Sequence, residues 1–250
     1  MTQRSEPIFN VPPAVLATIA ALLVVHGVRM LILTRAEDEW VLLTFAFIPA
    51  RYDIAGEAIG SLPGGFGAEL WSFFTYAFLH ADLLHIGLNL AWLLPFGTAL
   101  ARRFGAWRYT VFMLVVAVAG AFAHLITHAS AMVPMIGASA AISGAMAAAL
   151  RFVFQRGGPL GLWRGEISND AYRVPAASLV ATLRDPRFLI FFGTWMGLNL
   201  LVGLGTVSIG DEGQEIAWQA HIGGFIAGLL LFNAFDPIAP RRALASKTTT

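Results

Sequence analysis

Cysteine is absent from the 250 residues, which removes disulfide staples, thiolate metal sites and cysteine nucleophiles from consideration. Charge is scarce too: 12% of residues are Asp, Glu, Lys or Arg, against 57% hydrophobic ones, and mean hydropathy is +0.70. So apolar a composition does not fit the water-facing surface of a soluble domain of this length. There is no repeat of fixed period, and no low-complexity tract beyond the polar tail SKTTT. The chain reads as an all-α membrane protein.

Six apolar windows are each long enough to cross a hydrocarbon core of ~30 Å as helix. They lie at about 11–33, 80–100, 107–127, 133–150, 188–205 and 217–235. These bound a membrane domain over 11–235, with an N-terminal tail at 1–10 and a C-terminal tail at 236–250. The first window is too long for a signal-peptide core, has only Arg4 ahead of it and lacks a clear A-x-A site behind it, so it is expected to stay. Two shorter apolar stretches, 40–49 and 66–79, fall between the first two spans. They read as interfacial or re-entrant pieces of one long, partly membrane-embedded loop.

Thirteen of the 16 Lys and Arg residues sort to one side of this topology; only Arg29, Arg35 and Arg51 fall on the other. By the positive-inside rule both termini are cytoplasmic, and loops 34–79, 128–132 and 206–216 face outward. The acidic run GDEGQE (210–215) agrees. The long Gly, Pro and Arg-rich segment 151–187 reads as a cytoplasmic connector that meets anionic headgroups.

Spans two, four and six then run the same way, from outside inward, and each carries its polar residues near its start. Span two opens HADLLHIGLNLAW (80–92), where His85 and Asn89 are i and i+4 and share a face. His80 lies five residues before His85. Span four contains MIGASAAISGAM (135–146), with Ser139 and Ser143 one turn apart, and span six carries His221 about one turn inside its boundary. Polar side chains in a span are costly and face the bundle interior or a wet cavity. Any one of them alone reads as interhelical glue, but several meeting at one depth point to a site. Small residues give a reason why they meet: Gly224 and Gly228 form a G-x-x-x-G row, and Ser139, Ser143 and Ala147 a second small row.

Serine becomes a nucleophile when a base takes its proton, and a histidine is the usual base. His221 is the expected base for Ser139. No carboxylate lies inside a span, so a Ser-His dyad is expected rather than a triad with an acid. The amide of Asn89, a ring N–H of His85 and the free backbone N–H groups at the start of span four are donors for a developing oxyanion.

Gly137-Ala138-Ser139 opening a span, His80 with His85 and Asn89 on an earlier one, and AHIGGFIAG (220–228) on the last resemble the rhomboid family of intramembrane serine proteases. The resemblance covers about residues 69–235 and implies a six-transmembrane-helix rhomboid-like bundle. It implies Ser139 as nucleophile, His221 as base, and His85 and Asn89 in the oxyanion hole, with His80, Gly137, Ser143, Gly224 and Gly228 in support. Glu69 and Trp71 resemble the Glu-x-Trp element of a loop that rhomboids lay in the outer leaflet. Implied substrates are transmembrane segments that unwind near small residues at the outer boundary, with the fifth span as lateral gate. The implied setting is the cell (inner) membrane, with the bilayer and membrane proteins as partners; no nucleic acid, metal or cofactor is expected.

Three positions depart from the family's pattern. Ala140 stands for the glycine after the nucleophile. Ser143 stands where an aromatic often stacks on the base, which leaves His221 to be oriented by another group, a Ser143 hydrogen bond being one candidate. Ser72 stands for the Arg that commonly follows the loop Trp.

Two other readings compete. One is a catalytically inactive rhomboid-like protein that binds membrane clients, although such relatives usually lack the serine or the histidine. The other is a metal site or transporter built on His124 and His128, which are i and i+4 on the third span. The soluble-hydrolase elbow G-x-S-x-G fails because its fifth position is Ala141. His26 and Asn199 read as packing or hydrogen-bonding residues within their spans.

Overall fold

The computed structural model of the chain describes residues 11–53, 62–161, 169–204 and 217–238. The acidic run 210–215, Arg4, Arg164 and the basic C-terminal tail lie outside the described residues. Within them the architecture is helical, with one isolated antiparallel bridge between Phe47 and Met135.

Five helices are long and apolar enough to cross a membrane: α1 (Pro13–Leu31), α4 (Leu83–Phe104), α5 (Ala106–Thr127), α8 (Pro186–Gly203) and α9 (Trp218–Phe235). Local chemistry sets their starts. Pro13 and Pro186 occupy first-turn positions of α1 and α8, where a missing N–H costs nothing. The Asp82 carboxylate accepts from the His85 N–H at 2.7 Å and caps α4.

The loop after α1 is itself structured, as α2 (Arg35–Phe45) and α3 (Gly65–Thr75). The first starts earlier than its apolar stretch because Thr34 and Glu37 form a capping box. Those hydrogen bonds hold the Glu37 carboxyl below the usual carboxylate range. Trp71 Nε1 donates to Thr44 O at 3.0 Å, and the Tyr52 hydroxyl pairs with Ser72 Oγ at 2.7 Å. Although Ser72 replaces the expected arginine, a guanidinium still braces the loop: buried Arg51 donates to Leu43 O at 2.6 Å and Pro63 O at 3.1 Å.

The fourth window behaves differently from its expectation of helix over 133–150. Helix α6 (Ser139–Leu150) has 12 residues, a rise of about 18 Å, and starts six residues late. Pro134 and the positive φ of Gly137 (+115°) oppose helix there, and the chain runs extended instead. Irregular backbone at membrane depth must be paired within the protein. Met135 exchanges both backbone hydrogen bonds with Phe47, at 2.8 and 3.1 Å, and Gly137 N–H donates to Tyr76 O at 3.0 Å. The structured loop thus holds the lead-in to α6, so Ser139 sits below the end of a full span.

Helix α6 is the centre of the bundle, buried over Ala140–Leu150 and contacted by α4, α5 and α9. A helix that is apolar all round has no solvent face. The small-residue contact with α9 is shifted by one residue from the expected row of Ser139, Ser143 and Ala147: a Cβ at Gly224 would lie 2.0 Å from Ala140 O, and one at Gly228 2.1 Å from Gly144 O. Backbones therefore touch through Ala140 and Gly144, which turns Ser139 to the side of the contact. Apolar residues such as Leu31, Ile126 and Ile190 stay exposed on the outside of the bundle, where lipid rather than water is the solvent.

Helices α4, α6 and α9 run in one direction. His85, Ser139 and His221 stand near their first turns, and their far ends are tied by buried arginines. Arg103 pairs with Asp236 at 2.8 to 2.9 Å, while Arg151 donates to Leu229 O at 3.0 Å and Asn233 Oδ1 at 3.1 Å. Arg103 also donates to Tyr172 O and Val174 O, and Arg151 to Ala177 O. Arg151, one cation of the segment expected to meet headgroups, is thus spent inside the protein, and so is Arg103; both brace the 169–177 connector through its carbonyls.

Candidate active site

Ser139 opens α6 and His221 lies in the first turn of α9. His221 Nε2 and Ser139 Oγ are hydrogen-bonded at 2.6 Å, within the reach required of a nucleophile and its base. Close helix approach makes this contact reachable for a side chain as short as serine, because His221 is three residues before Gly224 and shares its face. Both groups are half-buried, as is His85.

On α4, the Ala81 N–H points to His85 Nδ1 at 3.4 Å, which places the proton of a neutral ring on Nε2. That Nε2 faces the serine. A Cβ at Gly137 would lie 2.6 Å from His85 Nε2 and 3.7 Å from Ser139 Oγ, so glycine keeps open the small space between them. No side chain caps the N-terminus of α6, and its first N–H groups and dipole face the same region. Asn89 is buried one turn further along α4. It spends one of its two amide N–H groups on His85 O at 2.9 Å.

His80 is fully buried, with its ring 5.0 Å from that of His85. Its Nε2 accepts from Ala138 N–H at 3.5 Å and its carbonyl accepts from Arg29 Nη1 at 2.8 Å. His80 thus links α1, the start of α4 and the residue before the serine. Ser143 does not reach His221. Its hydroxyl donates to Ser139 O at 2.7 Å, the short i−4 bond that a buried helical serine makes when no other acceptor is in range. The partner of His221 Nδ1 is instead Asn199 Oδ1 on α8, at 2.5 Å. The sequence signal for it was a lone amide in an apolar span; which histidine it meets was not written there.

Away from this cluster, His124 and His128 stack with ring centroids 4.4 Å apart, and the Thr127 hydroxyl meets His128 Nδ1 at 2.8 Å. Among the described residues no group of three His, Cys, Asp or Glu side chains is placed to hold a metal ion. His26 is buried in α1, and neither of its ring nitrogens meets a partner among the described residues.

A helical bundle with this much lipid-facing apolar surface is an integral membrane protein, and its site joins a serine on one helix to a histidine on another. The chain belongs to the rhomboid family: a family model described as the Rhomboid domain matches residues 67–235. It is 28% identical over 164 residues to Rhomboid protease GlpG of Klebsiella pneumoniae subsp. pneumoniae, covering 65% of this chain and 48% of the relative. Rhomboid protease GlpG of Salmonella choleraesuis is 27% identical over the same length and coverage. The chain thus spans about half the length of the curated relatives it matches.

Proposed function

We propose that this protein is a serine endopeptidase of the membrane interior, cutting peptide bonds in or near transmembrane segments of other membrane proteins. The observation that carries this reading is the 2.6 Å contact between Ser139 Oγ and His221 Nε2, in a helical bundle whose relatives are named proteases.

The chemistry follows from the placement of the groups. Ser139 Oγ attacks the scissile carbonyl carbon while its proton passes to His221 Nε2. The carbonyl electrons move to oxygen, and the resulting oxyanion is met by His85 Nε2–H, the Asn89 amide and the backbone N–H groups at the start of α6. One such donor is worth about 2.7 to 4 kcal/mol in the transition state. The C–N bond then breaks, His221 returns the proton to the departing amine, and an ester remains on Ser139. Water, deprotonated by His221, attacks the ester and frees the serine.

Substrates are transmembrane segments that unwind near small residues, admitted beside α8. The protein lies in the cell membrane with both termini in the cytoplasm, where the 169–177 connector and its Arg173 also lie.

The test uses wild-type protein in liposomes with a single-span substrate carrying small residues near its outer end. Cleavage is expected from the wild type and not from Ser139→Ala or His221→Ala. Undiminished cutting by Ser139→Ala would overturn the assignment, and no cutting by wild type would favour a client-binding relative.

A further inference from the structure

The bond between His221 Nδ1 and Asn199 Oδ1 has a chemical direction that the geometry fixes. Asn199 Nδ2 donates to Trp195 O, four residues earlier on α8, at 2.8 Å. With its nitrogen committed to that carbonyl, the amide presents its oxygen to His221. An amide oxygen only accepts, so the proton of the neutral imidazole belongs on Nδ1. The lone pair is then on Nε2, the atom that faces Ser139 Oγ. Two hydrogen bonds at opposite corners of the ring also fix its rotation. Ser143, which occupies the position of the family's ring-stacking aromatic, is committed to Ser139 O and supplies neither service.

We propose that Asn199 is a positioning residue that completes a Ser139–His221–Asn199 hydrogen-bonded array, holding the base in the tautomer that can accept the serine proton. The inference rests on the protease reading above and adds to it a role for α8. An amide can serve here as an acid does in other triads, since its oxygen accepts the same hydrogen bond from Nδ1–H. The neighbouring ring contacts support a fixed α8 at this level: Trp195 stacks on Phe225 of α9 with centroids 4.7 Å apart, and Phe192 packs on the same ring at 5.2 Å. Asn199 is thus held between a packed aromatic cluster and the base.

The experiment measures kcat, KM and thermal stability of the full chain in detergent, using one transmembrane substrate, for wild type, Asn199→Leu, Asn199→Asp and Ser139→Ala. Leucine keeps the volume and removes the acceptor; aspartate restores an acceptor at the same distance. The expected result is a fall in kcat of at least about 10-fold for Asn199→Leu with KM and melting temperature little changed, since loss of the correct tautomer in a related triad costs as much as about 10⁴-fold. Asn199→Asp is expected to recover most of that loss. A kcat for Asn199→Leu within twofold of wild type overturns the inference, as does an Asn199→Asp enzyme as slow as Asn199→Leu. Cleavage that survives Ser139→Ala strikes instead at the protease reading itself, so the two failures are told apart.

Discussion

Helices α9 and α8 both deliver a polar group to the same imidazole, and they are held in opposite ways. Helix α9 lies backbone to backbone against α6, with glycines where any Cβ would meet a carbonyl at about 2 Å. Among the described residues, helix α8 buries only Phe188 and Trp195. Its apolar side chains, among them Ile190 and Leu198, remain exposed. The difference teaches that the distance between Ser139 and His221 is set by backbone packing, whereas the second hydrogen bond of the imidazole comes from a helix that is largely exposed to lipid.

Predictions that break this contrast fall in order of size. Ser139→Ala removes the proposed nucleophile and should lower cleavage by at least about 10³-fold while leaving the melting curve in place. Gly228→Leu forces α6 and α9 apart; overpacking of this kind costs typically about 1 to 3 kcal/mol, so both thermal stability and cleavage should fall. Gly137→Ala combines strain at φ +115° with a methyl group beside His85 Nε2, and about 1 to 3 kcal/mol of strain should accompany a loss of cleavage. Helix α8 should behave differently: Leu198→Ala, on its exposed side, should change stability by less than about 0.5 kcal/mol and leave cutting intact. Smallest of all is Ser143→Ala. It removes only a back-bond to the helix, and cleavage close to the wild-type rate would show that the hydroxyl plays no part in orienting His221.

What the sequence made legible, and what it hid, follows the same physical division. Hydropathy and periodicity mark α1, α4, α5, α8 and α9 because a span exposed to lipid must be apolar along its length. They mislead at 133–138, where the backbone is apolar but not helical, since its hydrogen bonds are made by Phe47 and Tyr76 from a distant loop. The face of α6 was likewise unreadable to within one residue. Apart from Ile142, Met146 and Leu150 the helix is all Ala, Gly and Ser, so Ser139 with Ser143 and Ala140 with Gly144 look equally able to take the glycines of α9. His85, Ser139 and His221 stood out because polar groups in an apolar span are few and fell at one depth. The partner of Asn199 was hidden for a simpler reason: 22 residues separate it from His221, and only packing decides that they meet. The basic residues at the far end show the same limit, because Arg103 and Arg151 count toward topology by composition yet serve as buried braces in the fold.

The central claim is that Ser139 is activated by His221. It is tested most directly by treating the wild-type protein in liposomes with a serine-reactive phosphonofluoridate and mapping the modified residue by mass spectrometry. The account predicts a single phosphonyl adduct on Ser139 that is absent after His221→Ala. An adduct on another residue, or equal labelling of Ser139 without the histidine, would contradict it.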